Sequence, residues 1–143
     1  MTFRFMDQQE NNPIIIDPTS VTPYVMLDTS AEIFEIKGRS SPEVSINFYN
    51  PIYDYLENAE VDSSGGDFTA NFALEYFNTS STKCLLGILK RLANFQNKGK
   101  RVVVNWYYEE DDVDVLEIGE DLSYFVDIDF NFVPVEGEEE DYY

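Results

Sequence analysis

A chain of 143 residues with 43% hydrophobic and 15% aromatic side chains is long enough to bury one core. Its 28 acidic and nine basic residues leave a formal charge of −19, a field that repels nucleic-acid phosphates and anionic membranes and so argues against both as partners. With no histidine, the usual general base near neutral pH is missing, as are Ser-His-Asp and Cys-His sites and histidine zinc sites, and the single cysteine, Cys84, can form neither an intrachain disulfide nor a thiolate cluster.

Residues 1–20 are polar and proline-punctuated, with one short apolar run at Ile14-Ile15-Ile16, and read as a loosely held N-terminal arm. The first residues lack the apolar core of a signal peptide, and no stretch approaches the length of a membrane span, so a cytoplasmic protein is expected. Tyr24 to Leu27 and Ile33 to Ile36 are strand-like runs separated by the turn-forming Asp28-Thr29-Ser30, predicting a hairpin. Gly38 breaks that pattern. Ser41 then suits an N-cap and Pro42 a first helical position, with Glu43 at the positive end of the dipole. Val44, Phe48, Ile52 and Leu56 follow as one apolar stripe, and Pro51 is expected to kink or divide the helix.

Ser63-Ser64-Gly65-Gly66 closes that segment, and Phe68 to Tyr76 alternates apolar and polar residues as a strand does. Leu85, Ile88, Leu89, Leu92 and Phe95 mark a second helical stripe, which ends near Gly99, a residue suited to a left-handed cap. Val102-Val103-Val104 reads as a strand covered on both faces, Glu109 to Leu122 as a short acidic helix or loop, and Val126 to Phe132 as a half-exposed strand. The order β-β-α-β-α-β-α-β predicts a single α/β domain over residues 21–136, a mixed sheet of about five strands with helices packed on it through right-handed crossovers, followed by an acidic tail at 137–143.

The segment that asks for explanation is Asn78-Thr79-Ser80-Ser81, four hydroxyl or amide residues at the mouth of the second helix. Capping accounts for one of them. Asn78-Thr79-Ser80 also fits the N-glycosylation pattern, which a cytoplasmic chain never presents to that machinery, and a nucleophilic Ser or Thr lacks a histidine to activate it. The remaining reading uses the helix terminus itself: a hydroxyl there is a good carrier for a phosphate, stabilised by free N–H groups and the dipole, with Lys83 one turn on.

Resemblance favours that last reading. Phe77-Asn78-Thr79-Ser80-Ser81 followed by Lys83, after an apolar strand and opening a helix, resembles the signature of the SiaC family of bacterial regulatory phosphoproteins, whose fold is STAS-like, similar to anti-sigma-factor antagonists. The likeness covers most of the chain: Thr22-Pro23, Gly38 to Glu43, Phe48-Tyr49-Asn50-Pro51-Ile52, Gly99 to Tyr108 with Trp106, and Asp111 to Leu122 with Gly119-Glu120-Asp121. The chain departs from the family pattern at Ser41 and Val44, which flank Pro42-Glu43. The resemblance implies a non-catalytic switch. Thr79 would be phosphorylated by a dedicated serine/threonine kinase and dephosphorylated by a PP2C-type phosphatase. The unphosphorylated form would bind and activate an effector such as a diguanylate cyclase. Asn78, Ser80, Ser81, Lys83 and Lys90 would form the switch and partner-binding surface, without cofactor or metal. The alternative is an anti-sigma-factor antagonist acting on transcription through an anti-sigma kinase.

Other features carry less. Asp127, Asp129 and Asn131 are spaced as in a calcium loop, but Phe132 stands where glycine is required, and a polar strand face fits better. The acids Glu109 to Asp112 read as solvated surface rather than a hydrolase's metal site, and Cys84 as a small core residue. Lys83, Lys90, Arg91, Lys98, Lys100 and Arg101, six of the nine cations, run along and just after the second helix. Lys83, Gly87 and Lys90 are expected on its outward face, a docking strip beside Thr79, with Lys98 to Arg101 read as a solvated outer face.

Overall fold

The hydrophobic alternation along the chain resolves into one six-stranded sheet in a computed structural model that describes residues 12–136. Strands β1 (Ile14–Ile16), β2 (Tyr24–Asp28) and β3 (Ile33–Ser40) form an antiparallel meander, and β4 (Phe68–Phe77), β5 (Val102–Glu109) and β6 (Asp129–Val135) continue it in parallel. Helices α1 (Ser45–Asn58), α2 (Thr79–Asn97) and α3 (Val113–Ser123) make the crossovers. The strand count is therefore six rather than about five. The extra strand is Ile14–Ile16, within the stretch read as an arm: Ile15 alone gives too short an alternation to announce a strand, yet the run pairs with Val25 to Leu27. Residues 1–11 of that arm and the acidic tail at 137–143 lie outside the described residues.

The core lies between the sheet and the helices. Phe34, Ile36, Phe68, Phe72, Val104 and Trp106 from the strands meet Tyr49, Ile52, Leu85, Ile88, Leu92 and Phe95 from α1 and α2, all essentially without solvent exposure. Aromatic edges fix the packing: Phe68 meets Phe95 and Phe77 meets Trp106 in T-shaped pairs. Trp106 donates from Nε1 to the Val115 carbonyl at 3.0 Å, anchoring α3.

Several expectations about α1 are corrected. Its first helical residue is Ser45, not Pro42; Val44 occupies the N-cap position without a side-chain cap, and the Ser41 N–H is drawn back to the Val21 carbonyl at 2.7 Å. That hydrogen bond ties the segment to the loop before β2 and delays the helix. Of the expected stripe, Ile52 and Leu56 are buried and Phe48 packs against the core, but Tyr49 and Tyr53 complete the buried face and Val44 is 52% exposed. The helix is also not divided at Pro51, which is exposed. At the end of α2 the expectation holds: Gly99 adopts φ +85° and its N–H returns to the Gln96 carbonyl at 3.1 Å.

Candidate functional site

Three chain segments converge where β4 gives way to α2. Asn78 is the N-cap of α2, its Oδ1 accepting from the Ser81 N–H at 2.9 Å, and its own N–H donates to the Ser40 carbonyl at 3.0 Å at the end of β3. Ser81 points inward and is fully buried. Its Oγ donates to the Ser40 carbonyl at 3.0 Å and lies 2.8 Å from Ser40 Oγ, which in turn sits 2.6 Å from the Tyr49 hydroxyl of α1. Ser80 faces the start of α1, its Oγ 2.6 Å from Ser45 Oγ and 3.2 Å from Asn78 Oδ1. Thr82 Oγ1 donates to the Asn78 carbonyl at 3.2 Å.

Thr79 is the exception. It is the first residue of α2, exposed, and its hydroxyl makes no hydrogen bond among the described residues. Because the cap serves the Ser81 N–H, the N–H groups of Thr79 and Ser80 stay available at the positive end of a 19-residue helix. Lys83, four residues on and therefore on the same face, is exposed and has no ion-pair partner among the described residues.

The electrostatics of this corner are those of neutral hydroxyls. Burial pushes the Tyr49 phenol well above its ordinary value, against the weaker pull of the Ser40 and Ser81 hydrogen bonds, so it remains protonated across the physiological range. Burial likewise raises Tyr53, whose hydroxyl donates to the Cys84 carbonyl at 2.8 Å. No base stands in the network to activate Thr79 as a nucleophile. Among the described residues, no group of three or more acidic or cysteine side chains is arranged to hold a metal ion, and no helix is long and apolar enough to cross a membrane.

The basic strip divides. Lys83 and Lys90 are exposed on α2. Gly87 is not on an outward face: a Cβ there would lie 2.3 Å from the Tyr53 hydroxyl, so its missing side chain lets α1 approach. Arg91 lies over the Tyr53 ring at 3.8 Å and pairs with Glu57 at 2.9 Å. Lys98 and Arg101 are exposed, as a solvated face expects, though each is also tethered, and Lys100 alone departs from that reading. Lys98 donates to the Ala59 carbonyl at 3.1 Å, and Arg101 bridges Asp67 and Asp129. Lys100 is only 2% exposed, held by Glu32 at 3.2 Å and the Asp62 carbonyl at 2.9 Å. Nothing in the local sequence signals that pair, since the part-exposed Glu32 and the buried Lys100 are brought together only by the β3–β4–β5 arrangement. Asp129 and Asn131 lie on β6, as the strand reading expected.

Against known proteins, residues 16–135 match the family model described as SiaC family regulatory phosphoprotein. An uncharacterised protein of Pseudomonas aeruginosa strain UCBPP-PA14 is 29% identical over 107 residues, covering 75% of this chain and 84% of its own. The crystal structure of apo-SiaC from Pseudomonas aeruginosa superposes with a TM-score of 0.73 at 25% identity, over 85% of this chain and 98% of that one. SiaC in the crystal structure of the diguanylate cyclase SiaD in complex with its activator SiaC, from the same organism, gives 0.74 at 26%, over 85% and 99%. With the family pattern matched across nearly the whole described chain and the same sheet and helices in place, this protein belongs to the SiaC family of regulatory phosphoproteins.

Proposed function

We propose that this protein is the phosphorylatable switch of a bacterial partner-switching pathway, with Thr79 as the modified residue and an effector of the diguanylate cyclase type as its output. The observation that carries the reading is the contrast at the start of α2: Asn78, Ser80, Ser81 and Thr82 are all hydrogen-bonded, whereas the Thr79 hydroxyl is exposed and unengaged. A kinase can reach it without breaking the corner. A phosphate there adds roughly two negative charges at a helix N-terminus, a placement worth about 0.3–1 kcal/mol to the helix, so modification alters the surface without unfolding it. Lys83 is positioned to pair with that phosphate or with a partner, and Lys90 continues the exposed cationic face.

A dedicated serine/threonine kinase and a PP2C-type phosphatase would set the phosphorylation state, and the unphosphorylated form would activate the effector. Support for the effector class comes from the relative whose complex joins a diguanylate cyclase to its activator. Incubation with the cognate kinase and ATP should add one phosphate, located on Thr79 by fragmentation mass spectrometry and removed by a PP2C-type phosphatase. A Thr79→Ala protein modified to the same extent would refute the assignment.

A further inference from the structure

Three chain segments are tied together at the corner that carries Thr79. The Asn78 N–H donates to the Ser40 carbonyl at 3.0 Å, the Ser41 N–H donates to the Val21 carbonyl at 2.7 Å, and Ser80 Oγ lies 2.6 Å from Ser45 Oγ. Charged side chains make up 26% of the chain, yet residues 18–24, 40–50 and 76–82 hold a single one, Glu43, with Asp17, Arg39, Glu75 and Lys83 just beyond their ends. Across α2 the surface turns acidic, with Asp111, Asp112 and Asp114 at the start of α3. On a molecule of net charge −19, the neutral ground therefore lies on the α1 side of Thr79. Depletion of charge is what marks the centre of a protein–protein interface.

That ground is also apolar. Val21, Val44 and Ile46 are three of the eight large apolar side chains left exposed among the described residues, each about half-exposed. Val44 and Ile46 flank Ser45, the residue that Ser80 touches, so they stand beside the start of α2. Val44 moreover works against the fold. It holds the N-cap position of α1 with extended angles and no side-chain cap, where Ser, Thr, Asp or Asn would stabilise the helix. An apolar side chain kept in water at a position that favours a polar one breaks the local rule, as sequences do at functional surfaces.

We propose, on the reading of Thr79 as the switch, that Val44 and Ile46, with Val21 beside them and Thr79 at the border, are where the effector docks an apolar patch of its own. A phosphate on Thr79 leaves the hydroxyl network beneath it in place, so it acts on what lies alongside, and on the α1 side that is this neutral, apolar surface. In the unphosphorylated form a neutral hydroxyl passes under the partner. In the phosphorylated form, docking strips water from a dianion that faces apolar groups, which is strongly unfavourable. The switch is then one of desolvation and needs no change of fold.

Titration calorimetry of the unphosphorylated full chain against the cognate diguanylate cyclase tests it. Val44→Ser/Ile46→Ser should weaken binding at least ~10-fold. Val44→Ser alone should bind more weakly than wild type while unfolding at higher denaturant, a pairing that partial unfolding cannot produce. Phe125→Ser, which removes an exposed ring just past the C-terminal end of α3, should stay within about two-fold of wild type. The cognate kinase should still phosphorylate Thr79 of the double variant at a rate within about two-fold of wild type. A double variant that binds the cyclase as wild type does, while phosphorylation still abolishes wild-type binding, would overturn the inference alone. Loss confined to the kinase reaction would assign the surface to the kinase and overturn it too. Wild-type binding that ignores phosphorylation would sink the switch reading itself, and the desolvation account with it.

Discussion

Thr79 is exposed because its neighbours are committed elsewhere: Asn78 to the cap, Ser80 to Ser45, and Ser81 to the end of β3. The identity of each residue in the quartet follows from that division, and the sequence announces the cluster but not which member is left over. A second residue-scale feature runs against the sequence reading. Gly87 lies in the middle of α2, where alanine would gain about 1 kcal/mol of helix propensity. A Cβ at this site would meet the Tyr53 hydroxyl at 2.3 Å and Cζ at 2.7 Å, and Tyr53 is held by both Cys84 and Arg91. Overpacking of this kind costs about 1–3 kcal/mol, so Gly87→Ala should lower stability by a net ~1 kcal/mol in urea denaturation instead of raising it.

At the scale of elements, the strands were the legible part. Phe68 to Phe72 shows its period of two directly, though further along the strand Ala73 is buried and Tyr76 exposed against the expected alternation, and the α2 stripe from Leu85 to Phe95 is buried as spaced. The start of α1 was misread because Ser41-Pro42-Glu43 satisfies every local rule for a helix N-terminus, while the competing Ser41 to Val21 hydrogen bond is non-local. Its buried face is legible in Ile52, Leu56 and the core-packed Phe48 but not in full, because tyrosine is an ambiguous core residue: Tyr49 and Tyr53 go inward by finding partners for their hydroxyls, and Val44 stays outside. The Glu32–Lys100 pair was invisible because register between strands is written in no single strand. The uncapped start of α1 yields a prediction. Val44 has extended backbone angles suited to a cap and is half-exposed, so Val44→Ser should raise stability by about 0.5–1 kcal/mol, measured as an increased denaturation midpoint at unchanged m-value.

For the molecule as a whole, the hydroxyl corner makes stability sensitive to alkaline pH. Unfolded Tyr49 titrates near its ordinary 10.0, whereas burial holds the proton on the folded-state phenol to higher pH. Below pH 10 neither state is ionised and the contribution is fully present. Above it the folded state binds more protons than the unfolded one, so the free energy of unfolding falls as pH rises, by up to about 1.4 kcal/mol per pH unit for this group. Unfolding titrations between pH 9 and 11 should show that slope, and Tyr49→Phe should reduce it; identical slopes for the two proteins would rule out Tyr49 as its source. The same corner joins β3, α1 and α2 immediately beneath Thr79, which lets a charge added at the surface change what a partner meets while the core stays as it is.

The central claim is that one phosphate on Thr79 decides whether this protein engages its effector. The most direct measurement is the rate of cyclic di-GMP synthesis by the cognate diguanylate cyclase, with this protein added unphosphorylated, stoichiometrically phosphorylated, or as Thr79→Ala after exposure to kinase and ATP. Activation should be present with the unphosphorylated and Thr79→Ala proteins, and reduced at least ~10-fold with the phosphorylated one, equivalent to about 1.4 kcal/mol or more of lost coupling. Equal activation by the phosphorylated and unphosphorylated forms would contradict it.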